Sequence, residues 1–178
     1  MTAKIIKRFN LRINSSTKNI KMEIVCSTDS KYIMPTGIML TSLFESNRGE
    51  VVNVHLLHDQ DSAALLDSIR TIAARYQQNI HFYLINDDIF KHFPIGLDFQ
   101  VDHVGTSFAT YYRLYLTEIL PADIDKVIYL DGDILVVDKL VKLWNTSVEN
   151  YAIAAVPDSY NNKIEHYNRL RYPQTLGY

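Results

Sequence analysis

The sequence is poor in cysteine and has no long apolar run. Cys26 is the only cysteine among 178 residues, so the chain cannot form an internal disulfide, and a reducing, cytoplasmic setting is favoured. No uninterrupted apolar stretch approaches the roughly 20 residues that a membrane-spanning helix needs. The N-terminus also lacks the apolar segment of a secretory signal. These absences predict a cytoplasmic protein without a membrane span.

Glycine-rich phosphate-binding motifs are missing as well. The chain has six glycines and contains neither G-x-G-x-x-G nor G-x-x-x-x-G-K-[ST], so a dinucleotide-binding motif and a P-loop are both unsupported. If the protein binds phosphate, we expect a metal ion to hold it.

Positive charge is concentrated at the N-terminus. Residues 1–21 hold 6 of the 18 Lys and Arg residues and none of the 20 Asp and Glu residues. The remaining chain has 12 basic and 20 acidic residues, a formal charge near −8 that disfavours binding to nucleic acid. We interpret 1–21 as a flexible basic leader, and a peripheral contact with the inner face of a membrane remains open for it.

From residue 22 onward, short apolar runs alternate with helical patterns, as is typical of βαβ units. The pattern predicts an α/β fold with a mainly parallel sheet flanked by helices. The predicted strands are 23–27, 51–57, 80–85, 126–130 and 151–156, with 134–137 also extended. The predicted helices are 33–46, 61–76, 107–120 and 138–144, with Asp61 placed to cap the second.

Asp-x-Asp triplets occur three times in the chain, so their spacing alone says little. The pairs are Asp59 and Asp61, Asp123 and Asp125, and Asp131 and Asp133. Helix capping explains the first pair and a polar turn after Pro121 explains the second. Only Asp131 and Asp133 are flanked by strand-like runs on both sides, and a solvated turn between two strands is the alternative interpretation for them.

Side chains two apart on a strand point to one face, so Asp131 and Asp133 would present both carboxylates to one point at the carboxyl edge of the sheet. Like charges this close repel unless a cation compensates them, and carboxylate oxygens suit Mg²⁺ or Mn²⁺. Gly132 between them lets the backbone approach a ligand closely.

The segment FATYYRLYLTEILPADIDKVIYLDGDILVVDKLVKLW resembles the central signature of the family 8 retaining glycosyltransferases, which have the GT-A fold. The resemblance extends to EIVCSTDSKYIMPTGIMLTSL at 23–43 and to AAVPD at 154–158. It implies a nucleotide-sugar-binding GT-A domain over 22–158. It also implies transfer of glucose or galactose from a UDP-sugar, with retention, to a glycan or glycolipid acceptor, as in lipopolysaccharide biosynthesis.

The resemblance also assigns donor-binding residues. It places Ser27, Thr28, Asp29 and Tyr32 around the uridine, with Asp29 accepting a hydrogen bond from uracil and Tyr32 stacking on the base. A strand-to-helix turn with Asp29 near the helix N-cap is the alternative interpretation. Lys31 stands where relatives often have asparagine, which puts one base or ribose contact in doubt.

Two further residues match family positions near the reaction centre. Arg113 is expected to reach the donor and the acidic pair, and it lies off a packing stripe formed at helical spacing by Phe108, Tyr112, Tyr115 and Ile119. Asp158 matches an acid near the donor sugar or the acceptor. Without the resemblance, Arg113 would be read as a surface arginine and Asp158 as part of a Pro-Asp turn.

The metal site predicted from this sequence has only two protein ligands. The family's histidine ligand belongs to a motif that would lie past Tyr178, and none of the six histidines stands in that context. We therefore expect 159–178 to be a loop that is cut short, the chain to bind donor weakly with little activity, and an exposed sheet edge to favour oligomers.

Two other functions remain open at this point. A haloacid-dehalogenase-like phosphatase also has Asp-x-Asp after an apolar strand, although there the motif stands near the start of the chain. A non-catalytic nucleotide-sugar-binding fragment would use the acidic pair to bind a metal without productive chemistry.

Overall fold

The computed structural model describes residues 4–7, 21–59, 63–93 and 107–156. The strands are β1 (Lys4–Lys7), β2 (Lys21–Thr28), β3 (Val51–His58), β4 (Asn79–Leu84), β5 (Lys126–Tyr129) and β6 (Ile153–Ala155). The α-helices are α1 (Ile33–Ser46), α2 (Ala63–Arg75), α3 (Leu116–Ile119) and α4 (Val141–Trp144). Short 3₁₀ turns occupy Asp87–Phe90, Phe108–Thr110 and Tyr112–Tyr115.

The six strands form one sheet in the order β4-β3-β2-β5-β1-β6. Strands β4, β3, β2 and β5 are mutually parallel, and β1 runs antiparallel to both β5 and β6. The predicted α/β architecture with a mainly parallel sheet is therefore confirmed.

Both faces of β2 are buried, which explains its nearly continuous apolar sequence. Ile24 and Cys26 face one way and pack with Leu40 of α1 and Val54 of β3 in the larger core cluster. Val25 faces the other way and belongs to a second cluster, which the aromatic segment after residue 107 covers. The carboxyl ends of these parallel strands lie at one edge of the sheet, which is where α/β proteins bind their ligands.

Polar side chains occupy the amino-terminal half of the second sheet face. His55 is almost completely buried, and its ring nitrogens contact Glu23 Oε2 and the Tyr83 hydroxyl, each at 2.9 Å. Asn53 Nδ2 donates to both oxygens of Glu23 at 3.0 and 3.1 Å. The network supplies these side chains with the partners that burial requires.

The predicted helix 107–120 is broken into two 3₁₀ turns followed by the single turn α3. The reason is aromatic packing against Phe90, whose ring centroid lies 5.5 Å from that of Tyr112 and 5.2 Å from that of Tyr115. Residues three apart are eclipsed in a 3₁₀ turn, which brings both tyrosines to the same ring. The tertiary contact thus overrides the helical periodicity.

Residues 134–137, which the sequence predicts to be extended, are not a strand of the sheet, and side chains of α1 bond the backbone of Val136 instead. Val136 N donates to Ser42 Oγ at 3.0 Å, and Ser46 Oγ donates to Val136 O at 2.8 Å. The helix predicted at 138–144 is only the short α4, and Asn47 Oδ1 accepts from the amide of Leu140 just before it. The predicted helix cap Asp61 lies outside the described residues.

The prediction of a flexible leader is wrong for Lys4–Lys7, which forms β1 between β5 and β6, and for Lys21, which begins β2. Ile5 and Ile6 favour extended structure, and the neighbouring strands satisfy the backbone groups of β1 on both sides. The boundaries at residues 22 and 158 stay predictions, and 159–178 lies outside the described residues. No helix in the described part of the chain is long and apolar enough to cross a bilayer.

Candidate active site

A cavity of about 280 Å³ opens at the carboxyl ends of β2 and β5. It is lined by Ser27, Thr28, Asp29, Tyr32, Ser107, Ala109, Thr110, Arg113, Asp131, Gly132 and Asp133. The structure therefore brings together every site residue predicted from the sequence except Asp158, which lies outside the described residues. The segment after β2 forms one side of the cavity and the acidic turn after β5 forms another.

Asp29 organises the turn between β2 and α1. Its Oδ1 accepts hydrogen bonds from the amides of Lys31 at 2.8 Å and Tyr32 at 2.9 Å, and its side chain is buried. This arrangement supports the structural role that the sequence suggested for Asp29. Its Oδ2 accepts no hydrogen bond from the described residues.

Asp131 and Asp133 follow β5 in a turn and not on a strand, so the geometric argument for their shared direction was wrong. The two residues nevertheless line the same cavity. Asp131 is partly buried against Arg113, whereas Asp133 is exposed and makes no hydrogen bond or ion pair with any described residue. Because a bend replaces the expected strand, the two carboxylates differ in environment.

The donor atoms in this turn fit a hard divalent cation in part. Asp133 keeps both oxygens, and Asp131 keeps the oxygen that Arg113 does not bond, which are the ligand types preferred by Mg²⁺ and Mn²⁺. Within the described ranges, no group of three or more His, Cys, Asp or Glu side chains could hold a metal. Any ion in this part of the cavity would therefore need oxygens from a ligand or from water.

Gly132 is required for space and not for an unusual backbone conformation, because its φ lies outside the left-handed region. A Cβ at this position would lie 2.6 Å from Thr36 Oγ1 and 3.4 Å from the carbonyl oxygen of Ser27. The sequence predicts that this glycine lets the backbone approach a ligand closely. The structure shows that the close neighbours are the protein's own α1 and β2.

Arg113 joins three parts of the site. Its Nη2 donates to Asp131 Oδ1 at 2.8 Å, its Nε donates to the carbonyl of Thr110 at 2.9 Å, and its guanidinium carbon lies 4.5 Å from the centroid of the Tyr129 ring. The prediction that Arg113 leaves the packing stripe and reaches the acidic pair is confirmed for Asp131. These contacts fix a positive charge beside the acidic turn.

Tyr129 is a site residue that the sequence reasoning missed. It lies on β5, is fully buried, and its hydroxyl is 2.6 Å from Ser27 Oγ. Burial raises the pKa of Tyr129 to about 12, so the hydroxyl stays protonated and uncharged. Its place in an apolar strand suggested a core residue, although its position two residues before Asp131 was an available signal.

Ser107, Ala109 and Thr110 also line the cavity without having been predicted. Ala109 and Thr110 belong to the first 3₁₀ turn of the segment that was expected to be a regular helix, and Ser107 directly precedes that turn. No local pattern in the sequence marks them. Only the packing of that segment against β2 and β5 brings them to the site.

Comparison with known proteins relates this site to one class. The model of the family described as "Glycosyl transferase family 8" matches residues 23–174. A galactosyltransferase, LgtC, whose crystal structure holds donor and acceptor sugar analogues, superposes with a TM-score of 0.59 and 33% sequence identity over 71% of this chain and 43% of its own. The sheet therefore has the GT-A fold of these glycosyltransferases.

Curated relatives agree with this class. A Haemophilus influenzae protein named as a glycosyltransferase is 30% identical over 88% of this chain and 44% of its own. The lipopolysaccharide 1,2-glucosyltransferase of Escherichia coli K12 is 24% identical over 97% of this chain and 49% of its own. The chain thus belongs to glycosyl transferase family 8, and it spans about half the length of these relatives. The phosphatase alternative finds no support in these matches.

Proposed function

We propose that the protein takes part in the metal-dependent transfer of a hexose, glucose or galactose, from a UDP-sugar to a glycan or glycolipid acceptor, with retention of configuration. The single observation that carries the proposal is the shared cavity, which has the Ser27–Tyr32 segment on one side and the Asp131–Asp133 turn on another. A nucleotide diphosphate needs both a polar segment that binds the base and an acidic turn that can bind the diphosphate through a cation, and this cavity has both.

The segment after β2 suits the uridine. Asp29 has one carboxylate oxygen committed to the turn and one available to accept a hydrogen bond from the uracil ring. Tyr32 is partly exposed at the start of α1 and offers its ring for stacking on the base. Ser27 is hydrogen-bonded to the buried hydroxyl of Tyr129, and this contact positions its side chain in the cavity lining.

The acidic turn suits the diphosphate through a divalent cation. Asp131 and Asp133 would hold Mn²⁺ or Mg²⁺, and oxygens of the donor and water would complete its coordination. When bound, the cation stabilises the negative charge that develops on the diphosphate as the bond to the anomeric carbon breaks.

Arg113 would support the same charge from the protein side. Its guanidinium is held by the Thr110 carbonyl and the Tyr129 ring, so it needs little reorganisation when the donor arrives. In this proposal Arg113 has two tasks: it orients Asp131 and it contributes positive charge near the departing diphosphate. Asp158 remains the proposed acid near the donor sugar or the acceptor.

The acceptor class comes from the relatives. Those named for their substrate include lipopolysaccharide glucosyltransferases of Escherichia coli, and the LgtC structure holds an acceptor sugar analogue. A glycan or glycolipid acceptor follows by similarity. Lipopolysaccharide biosynthesis is therefore the proposed setting for the whole protein.

Calorimetry with UDP tests the donor site. We expect binding that strengthens about tenfold or more when Mn²⁺ is added, and loss of that gain in Asp133→Asn. Asp133 is exposed and makes no hydrogen bond or ion pair with the described residues, so this variant should fold normally, and an unchanged thermal midpoint is the control. Absence of UDP binding under both conditions would refute the proposal. Metal-dependent binding of UDP without transfer from UDP-glucose or UDP-galactose would favour the non-catalytic alternative.

A further inference from the structure

Thr36 lies beneath the cavity and contacts both the Ser27–Tyr32 segment and the Asp131–Asp133 turn of the proposed donor site. It lies on α1, is completely buried, and is not part of the cavity lining. Its Oγ1 donates to Thr28 Oγ1 at 3.0 Å, and the Thr28 hydroxyl in turn donates to the carbonyl of Asp29 at 3.3 Å. The hydroxyl of Thr36 is therefore hydrogen-bonded to the Ser27–Tyr32 segment, which is the proposed uridine-binding side of the cavity.

The same hydroxyl lies against the acidic turn. The space that a side chain at Gly132 would need is occupied by Thr36 Oγ1, only 2.6 Å from the ideal Cβ position. Ordinary contact begins near 3.4 Å, so a methyl group there would force the turn or the hydroxyl to move by about 0.8 Å. Rotating Thr36 away would break its hydrogen bond to Thr28.

We propose that Thr36 is a positioning residue whose Thr28-bound hydroxyl supports Gly132 and so fixes the Asp131–Asp133 turn relative to the nucleotide-binding segment. The inference rests on the proposed donor site and adds a residue that does not touch the cavity. It predicts that the packing of Thr36 against Gly132 determines whether the site can bind the base and the metal-bound diphosphate of one donor molecule at the same time. Small displacements of such a turn weaken binding strongly.

A double-mutant cycle between the two residues tests this inference. Gly132→Ala should reduce the gain in UDP affinity from Mn²⁺ by about tenfold, because the added methyl displaces the acidic turn. Thr36→Ala alone should also reduce that gain, because it removes the supporting hydroxyl, and adding Gly132→Ala to it should reduce the gain by no more than about threefold further, since no hydroxyl remains to clash. UDP affinity is measured by calorimetry with and without Mn²⁺, beside a thermal unfolding curve for each variant.

Thr41→Ala is the matched control, since the Thr41 hydroxyl lies on the same helix and, among the described residues, bonds the carbonyl of Gly37. It should leave the effect of Mn²⁺ unchanged. If Gly132→Ala does not fold, Thr36→Ser and Thr36→Val provide the test. The serine variant keeps the hydroxyl and should retain the gain, whereas the valine variant should lose it.

Different results would refute the proposed function and the positioning role of Thr36. If wild-type protein shows no metal-dependent UDP binding, the proposed function fails and this inference fails with it. If wild-type protein shows that binding, but Gly132→Ala keeps the gain or the losses in the two single variants simply add in the double variant, the positioning role alone is refuted. A loss of thermal stability with an unchanged effect of Mn²⁺ would also show that Thr36 only packs the core.

Discussion

Arg113 donates a 2.8 Å hydrogen bond from Nη2 to Oδ1 of Asp131, and the two side chains are only 19% and 29% exposed. The pair joins the aromatic segment to the turn after β5. Because solvent is largely excluded, the contact is stronger than an ordinary surface ion pair and costly to break from one side. The ion pair therefore contributes both to the stability of this region and to the position of Asp131, the proposed metal ligand.

Arg113→Ala should weaken UDP binding in the presence of Mn²⁺ by tenfold or more and lower the free energy of unfolding by about 1–3 kcal/mol, since Asp131 loses its partner. Arg113→Lys should recover part of the stability but little of the affinity, because an ammonium group cannot replace the planar guanidinium over Tyr129. Calorimetry and chemical denaturation measure the two effects. Arg48→Ala is the control: its pair with Glu45 is exposed, and neither quantity should change measurably.

Two substitutions separate the contributions of the Tyr129 hydroxyl and its ring. Tyr129→Phe removes the hydrogen bond to Ser27 but keeps the ring below Arg113, so UDP affinity should fall by about threefold at most. Tyr129→Leu removes the ring as well and should lower the affinity by about tenfold or more. Equal affinities for the two variants, measured by calorimetry at matched folded fractions, would show that the ring does not position Arg113.

The Glu23 network should affect stability without affecting the site. Glu23→Ala leaves polar atoms of His55 and Asn53 without their partner and should cost about 1–3 kcal/mol in the free energy of unfolding. Glu23→Gln preserves hydrogen bonding and should cost less. Glu23 lies about 13 Å along β2 from Ser27, so UDP affinity should not change in either variant. A matching loss of affinity in Glu23→Gln would contradict this separation.

Alkaline pH should destabilise the protein through groups whose burial holds them protonated. Burial raises the pKa of Cys26 from 9.0 to about 12, as it raises that of Tyr129 from 10.0 to about 12. Their contribution is complete below the unfolded pKa values. It is lost as pH rises, because the unfolded chain releases protons that the folded chain retains.

Cys26→Ala should therefore show a shallower fall of the thermal midpoint between pH 9 and pH 11 than wild-type protein, even though its midpoint at neutral pH is lower. Thr41→Ala serves as the comparison and should follow the wild-type slope. Parallel curves for wild type and Cys26→Ala would exclude the thiol from the alkaline transition.

The parts of the fold that local chemistry determines could be predicted from the sequence. Helix α1 begins and ends where predicted, because Pro35 fits a first turn and its apolar positions recur at helical spacing. Strand β2 could be recognised from its nearly continuous apolar sequence, which reflects the burial of both of its faces. The acidic turn was found because apolar runs on both sides distinguish it from the two other Asp-x-Asp triplets.

The parts that depend on distant contacts could not be predicted. Phe90 breaks the helix expected at 107–120, and two serines of α1, rather than a neighbouring strand, bond the backbone of Val136 in the extended segment predicted at 134–137. Strand β1 depends on partners more than a hundred residues away. Tyr129 was missed for the same reason, since only the pairing of β5 with β2 brings its hydroxyl to Ser27.

The most direct test of the account compares UDP with uridine in calorimetry, each with and without Mn²⁺. If Asp131 and Asp133 hold a cation that bridges the diphosphate, Mn²⁺ should strengthen UDP binding about tenfold or more and leave uridine binding unchanged, because uridine has no phosphate for the cation to bind. An equal effect of Mn²⁺ on both ligands, or no effect on UDP, would contradict the role assigned to the acidic turn.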